Sequence, residues 1–324
     1  LNTAGVADVG IGGIYGEEGG TDAGAAYGVR GPIQGQRDLS TGDAKMTGEE
    51  SDDWAGWAVA GVGDVDGDGL GDLLVGAPRH GVDGEGVAYL VTGPFSGTTD
   101  LANAEARLLG GPDWGAAGSA LSGRGDVNGD GNVDLLVGAH NCNGQGNTNG
   151  RSYIDYGPLS GDLTLSSTGA QFWGDYGNGH AGYALTVEAD LDADGYHDVV
   201  IGALGSDVTH VIYGGPTAMT GTHYLVNSDA ALVSGTNGTH AGAALSAGDV
   251  NGDGADDLLI GADENGNNGA AFLVNGDAAG NHPLGTVTLA YESDASFAGE
   301  APDDEAGTAV SCRGDVNGDG YDDV

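Results

Sequence analysis

Residues 63–78 read "GDVDGDGLGDLLVGAP", with Asp64, Asp66, Asp68 and Asp72 crowded together just before an abrupt apolar run. Carboxylates this close repel one another unless a cation neutralises them. The spacing D-x-D-x-D-G-x-x-D suits a loop that wraps a hard cation in oxygen ligands. Positions 1, 3, 5 and 9 offer side chains, position 7 a backbone carbonyl, and Gly69 at position 6 the sharp turn. Calcium is the natural candidate.

The motif recurs. "DVNGDGNVDLLVGAH" begins at Asp126, "DLDADGYHDVVIGAL" at Asp190, "DVNGDGADDLLIGAD" at Asp249 and "DVNGDGYDDV" at Asp315, at steps of 62, 64, 59 and 66 residues from Asp64. A period near 60 with strand-like content predicts a solenoid, a propeller or an array. The repeat extends beyond the loop. Upstream lies "AGWAVA" at 55–60, echoed by "AGSALS", "AGYALT", "AGAALS" and "AGTAVS", the last at 306–311. Downstream come "DLLVGA", then a third strand such as "GVAYLVTGP" at 86–94 or "RSYIDYGP" at 151–158, then a more polar fourth such as "AEARLLG" at 104–110. Four strands per unit predict a blade, and the chain reads as an all-β propeller of four-stranded blades with loops between strands one and two. The opening residues fit as well. "VADVGIGG" at 6–13, "GAAYGVRGP" at 24–32 and "AKMTGEE" at 44–50 match strands two to four, and residues 1–8 read as a worn loop ending on Asp8 at position 9. We expect one propeller region over 1–324, with repeats near 1–50, 51–112, 113–175, 176–236, 237–302 and the start of another at 303–324.

The loop is distinguishable from others that share D-x-[D/N]-x-D-G. An EF-hand needs a glutamate at position 12 on an outgoing helix, whereas that position is Val75, Val137, Ile201 or Ile260 here. A dockerin-type loop fails likewise, and repeat-in-toxin units recur every nine residues. What remains is a strand–loop–strand site closed by an aspartate. The side-chain ligands would be Asp64, Asp66, Asp68 and Asp72; Asp126, Asn128, Asp130 and Asp134; Asp190, Asp192, Asp194 and Asp198; Asp249, Asn251, Asp253 and Asp257; and Asp315, Asn317, Asp319 and Asp323. Backbone carbonyls would come from Leu70, Asn132, Tyr196, Ala255 and Tyr321. The plainer alternative is ordinary Asp/Asn/Gly turn chemistry.

The loop, the "VGAP" after it and the "AGWAVA" before it resemble the FG-GAP repeat of integrin α-chain propellers and of many secreted bacterial proteins. The family's Phe-Gly is replaced by Trp57-Ala58, Ser119-Ala120, Tyr183-Ala184, Ala243-Ala244 and Thr308-Ala309, and "GAP" survives only at 76–78. The resemblance implies a seven-bladed propeller of which this chain holds five repeats, on an extracellular or cell-surface protein.

Composition narrows the function. Glycine supplies 67 of 324 residues without a three-residue period, so helices are interrupted and collagen is excluded. A net charge of −41 argues against nucleic acid and anionic membranes, and favours cation binding. No run of eighteen apolar residues is present, so membrane insertion by a helix in this segment is not expected. Cys142 and Cys312 form no disulfide framework and fall at opposite ends of different blades, so we expect them unbonded.

Other motifs have plain explanations. Arg124-Gly125-Asp126 and Arg313-Gly314-Asp315 spell an adhesion tripeptide, but each aspartate is also position 1 of a loop. His180 and His240 sit just before A-G, where other units carry Trp54, Ala116 and Glu305. Trp54, Trp57, Trp114, Trp173 and Tyr183 would pack between blades or line a glycan-binding rim. No nucleophile elbow, HExxH helix, phosphate loop or CxxC pair occurs, and the loops absorb 17 of the 49 acidic residues. We therefore expect no enzyme activity. The expected role is a non-catalytic, calcium-stabilised extracellular propeller serving structure, adhesion or assembly, with a protein or glycan partner. The alternative is a carbohydrate-binding propeller or the accessory domain of a secreted polysaccharide-active enzyme.

Overall fold

The computed structural model describes residues 8–111, 115–142, 148–167, 169–174, 177–277, 279 and 282–324. Trp114 and most of the worn opening loop lie outside them. Short strands separated by turns run the length of the chain, as its glycines demand. The first unit holds β1 (Val9–Gly13), β2 (Ala25–Val29) and β3 (Ala44–Thr47). The second holds β4 (Val59–Gly63), β5 (Asp72–Ala77), β6 (Val87–Val91), β7 (Gly97–Asp100) and β8 (Ala106–Leu109). The third holds β9 (Ala120–Gly125), β10 (Asp134–Ala139), β11 (Arg151–Asp155), β12 (Gly161–Thr164) and β13 (Ala170–Trp173). The fourth holds β14 (Ala181–Ala189), β15 (Asp198–Ala203), β16 (Val208–Ile212), β17 (Gly221–Tyr224) and β18 (Ala230–Val233). The fifth holds β19 (Ala241–Gly248), β20 (Asp257–Ala262), β21 (Ala270–Val274), β22 (Gly285–Thr288) and β23 (Ala295–Ala298).

These strands form five sheets of four or five strands, a multi-blade β-propeller arrangement. Within a blade the pairing is antiparallel, as between β5 and β6 with Val75 opposite Tyr89. The four-stranded expectation misses one element. A fifth strand lies parallel to the outer strand of four blades, and the following unit supplies it: β7 on β3, β12 on β8, β17 on β13 and β22 on β18. Arg107 on β8 clasps its incoming strand through Nε and Nη2 to both carboxylate oxygens of Asp162, while Nη1 reaches Glu49. The first and last sheets share no strand pair among the described residues.

Two other expectations need correction. In the second and third blades the A-G motif forms a turn ahead of the strand, which begins only at Val59 or Ala120. Residues 306–311 form no strand; only Ala306 makes an isolated bridge, to Gly269.

The apolar run after each loop is strand two, buried along all six residues in β5, β10, β15 and β20. It is buried on both faces because each sheet packs between two others, so the core is a series of inter-blade layers. One layer joins Met46 and Ala26 to Leu73, Val75 and Tyr89; the next joins Leu74, Leu90 and Leu108 to Leu135, Val137 and Tyr153. Such layers need close backbone approach at one point. A Cβ on Gly76 would lie 1.9 Å from the Gly118 carbonyl oxygen of the next blade, and Gly12–Gly56, Gly138–Gly182, Gly202–Gly242 and Gly261–Gly307 repeat the contact. The glycines of "VGA" and "AG" are thus two halves of one joint.

Cys142 and Cys312 are both free and buried, in different layers.

Candidate metal-binding loops

Each loop bridges strands one and two of a blade, and its turn is set by glycine. Gly69, Gly131, Gly195, Gly254 and Gly320 at position 6 have φ between 86° and 95°, where a side chain would be strained although nothing crowds the space. Backbone amides then point inward. Asp64 accepts from the N–H of Gly67 and Asp68 at 2.8 and 3.0 Å through Oδ1, and from Gly69 at 2.8 Å through Oδ2. Asp126, Asp190, Asp249 and Asp315 hold the same place in their loops. Position 3 accepts from the amide of position 5, whether it is Asp66, Asp192, Asn128, Asn251 or Asn317. Asp68, Asp130, Asp194, Asp253 and Asp319 accept from the amide of position 7.

The carboxylates converge. Oxygens of Asp64, Asp66 and Asp72 lie within 4.8 Å of one another, and so do those of Asp190, Asp192 and Asp194. The other loops carry asparagine at position 3, a neutral oxygen donor in the same place. A set of hard oxygens around a pocket of inward amides fits calcium chemistry.

Position 9 has a second use that the spacing alone does not reveal. Asp72, Asp134, Asp198 and Asp257 are almost wholly buried. One oxygen of each accepts the amide of position 2 and the other the amide of Gly93, Gly157, Gly214 or Gly276 at the end of strand three. Asp8 accepts from Gly31 at 2.7 Å in the same way, consistent with its place in a worn loop. This bracket needs no ion, so recurrence of an aspartate there does not by itself argue for one. Burial does set its cost: it pushes the Asp134 carboxyl up to about 7 and Asp198 up to about 8, and Asp257 up to about 6. Asp72 rises for the same reason. A bound divalent cation would favour the ionised forms that burial opposes.

The loops are also joined to one another, through residues the sequence reading passed over. Position 8 of one loop clips position 1 of the preceding loop. The amides of His197, Asp256 and Asp322 donate to the carbonyls of Asp126, Asp190 and Asp249, and their side chains accept the amides of those same residues. Tyr196 and Tyr321, expected only as carbonyl donors, also lay their rings over Gly129 and Gly252 of the preceding loop, leaving no room for a Cβ. A polar residue between an aromatic and an aspartate, as in Tyr196-His197-Asp198, was the available signal.

The remaining motifs resolve simply. Asp126 and Asp315 of the two RGD tripeptides are held by their own loop amides. Arg313 pairs with Glu188 beside a cavity of about 440 Å³ bordered by first strands, which Arg124 also lines. Trp54, Ala116, His180, His240 and Glu305 share a left-handed backbone, with φ between 51° and 59°. His240 pairs with Asp263 at 3.0 Å, and His180 with the His140 carbonyl. Trp173 meets Tyr224 of the incoming strand, which is packing between units. Trp57 instead is 47% exposed and Tyr183 43% exposed. Outside the loops, Glu50, Asp53 and His80 cluster, with Asp53 accepting from His80 Nδ1 and the Glu50 amide.

Five blades joined by aspartate-lined loops define an FG-GAP propeller, and comparison with known proteins agrees. The FG-GAP repeat profile matches residues 55–91 and 241–274. Integrin alpha-PS2 of Drosophila melanogaster is 31% identical over 214 residues, covering 58% of this chain and 14% of that protein. Integrin alpha-IIb of Mus musculus is 32% identical over 189 residues, covering 56% and 18%. The phosphatidylinositol-glycan-specific phospholipase D of Rattus norvegicus is 38% identical over 156 residues, covering 45% and 18%. The chain carries FG-GAP repeats of the integrin-like kind, and spans less than a fifth of the length of these relatives. No described helix is long and apolar enough to cross a membrane.

Proposed function

We propose that the five loops bind calcium and that the chain is a non-catalytic, calcium-stabilised propeller of an extracellular or cell-surface protein, used in structure, adhesion or assembly. The observation that carries this reading is the convergence of Asp64, Asp66 and Asp72, and of Asp190, Asp192 and Asp194, on points ringed by inward amides. The ligands are those named from the sequence, with the side chains of positions 1, 3, 5 and 9 and the carbonyls of Leu70, Asn132, Tyr196, Ala255 and Tyr321. A bound ion would tie strand one to strand two in every blade. The daisy chain of position-8 clips would pass that order from loop to loop. Extracellular modules bind calcium at about 10⁻⁴–10⁻³ M, which suits a structural staple in a calcium-rich medium. Likeness to integrin alpha chains and the net charge of −41 support the surface location and a protein partner. Calorimetric titration of the chelator-treated chain with calcium tests the reading: five sites are expected, and an absence of binding at millimolar calcium refutes it.

One observation favours the carbohydrate reading as a second. Trp57 stacks on Trp54 at 5.6 Å and 11°, with the Arg79 guanidinium 4.2 Å from the Trp54 ring, and leaves about half its own surface to solvent. Exposed indole faces of this kind stack on sugar rings. A glycan array probed with the calcium-loaded chain and with Trp57→Ala separates the readings: signal lost in the variant favours sugar binding.

A further inference from the structure

The incoming fifth strands follow one rule. Each starts on a glycine at positive φ, namely Gly97, Gly161, Gly221 or Gly285 at 66° to 77°, and each runs G-x-x-x-L. The glycine always registers with an alanine that opens the outer strand: Ala44, Ala106, Ala170 or Ala230. Its amide donates to the carbonyl just before that alanine, on Asp43, Glu105, Gly169 or Asp229. The leucine that ends the motif, Leu101, Leu165, Leu225 or Leu289, is then at most 2% exposed.

The rule has two unused halves. In the first unit, Gly35-Gln36-Arg37-Asp38-Leu39 has the same sequence pattern, and Gly35 has φ of 68°. It pairs with no strand among the described residues; residues 35–38 are exposed and Leu39 is only partly buried. In the fifth unit, β23 opens on Ala295 after Asp294, like every other outer strand, yet no strand lies beyond it among the described residues. Its residues run one half-buried and three exposed, with Phe297 46% exposed, where β8, β13 and β18 alternate buried and half-buried. An open strand edge is a template for another chain.

We propose that residues 35–39 of one copy of this chain dock as a parallel strand on β23 of a second copy, with Gly35 opposite Ala295 and Leu39 buried. The contact is head-to-tail, because donor and acceptor are different surfaces of the same molecule. It therefore generates a ring or a filament, not a two-fold dimer. The occupant is fixed by the four internal joints, which show what sequence that edge accepts and in what register.

The test uses two variants that each gain one thiol, Gln36→Cys and Ser296→Cys, at positions the register places opposite one another. The native thiols, Cys142 and Cys312, are buried. Mild oxidation should yield a disulfide-linked pair of chains in the mixture of the two variants and not from either alone, with peptide mapping placing the link between the two substituted positions. Sedimentation of the unmodified chain should show its average mass rising with concentration. Leu39→Asp, at a partly exposed position, should abolish that rise with melting unchanged. A chain that stays monomeric at all concentrations overturns the proposal. So does association that persists in Leu39→Asp, or a double variant that links only within one chain, which would mean that the blades close on themselves.

Discussion

His197 and Asp126 hold each other by two backbone-level bonds across a blade boundary: the His197 amide donates to the Asp126 carbonyl at 3.1 Å, and the Asp126 amide donates to His197 Nδ1 at 3.2 Å. The accepting Nδ1 places the ring proton on Nε2. In the next two boundaries an aspartate, Asp256 or Asp322, does the same work. His197→Asp should therefore leave stability near the parent's, whereas His197→Ala leaves a part-buried amide without its acceptor and should cost about 1–3 kcal/mol. Urea unfolding of both variants checks this; equal losses would contradict it.

The glycine joint between blades gives a sharper steric prediction. Gly76→Ala puts a methyl 1.9 Å from the Gly118 carbonyl oxygen, which belongs to backbone and has little freedom to give way. We expect a loss of about 3 kcal/mol or more, or failure to fold. Gly111→Ala, with nothing within 4 Å of the added carbon, should be nearly neutral. Thermal melts of the two variants decide it.

Buried histidines give the pH dependence. His210 is 4% exposed, and desolvation pulls its imidazole down to about 4 from an ordinary 6.5. Between those values the unfolded chain binds a proton that the folded one refuses. Its contribution is complete above about pH 6.5 and is lost as pH falls toward 4, at up to about 1.4 kcal/mol per pH unit. His140, pulled down to about 4 by burial and the neighbouring His180, adds in the same direction. Urea midpoints at pH 7 and pH 5, in saturating calcium, should fall less on acidification for His210→Gln than for the parent. An equal fall removes His210 from the account.

What the sequence made legible follows from how each feature is encoded. Strand two was plain because burial on both faces demands an unbroken apolar run such as Leu73-Leu74-Val75. The loops were plain because oxygen ligands and positive-φ glycines leave few alternatives at positions 1, 3, 5 and 6. The fifth strands were not. Residues such as Gly97-Thr98-Thr99-Asp100 are polar and mostly exposed, and their order comes from pairing with a partner more than 50 residues away. The position-8 clip was hidden because Gly71, Val133, His197, Asp256 and Asp322 share no chemistry in sequence, and only the last three use their side chains. The bracket at position 9 was half visible. Its aspartate was read as a ligand, but its two backbone amides come from both neighbouring strand ends, which spacing does not show.

Within one loop, removing the position-1 carboxylate should act on the ion and on the turn together. Asp126→Ala takes away the acceptor of the Asp130 and Gly131 amides as well as a proposed ligand. Calcium stoichiometry should drop from five to four, with stability lowered even in chelator. Asp68→Asn, which keeps an oxygen for the Leu70 amide, should weaken calcium binding while leaving chelator stability near the parent's. Titration calorimetry paired with melts in chelator separates the two effects.

The central claim is that calcium is part of the folded architecture. It is tested most directly by the melting temperature of the intact chain in excess calcium and in excess chelator. A ligand present at a hundred times its dissociation constant stabilises by about 2.7 kcal/mol per site when it binds the folded state alone. Several occupied loops should therefore raise the melting temperature by about 10 °C or more over the chelated chain. A melting temperature that chelator leaves unmoved would contradict the account, and would leave the aspartate loops as turns held by their own amides.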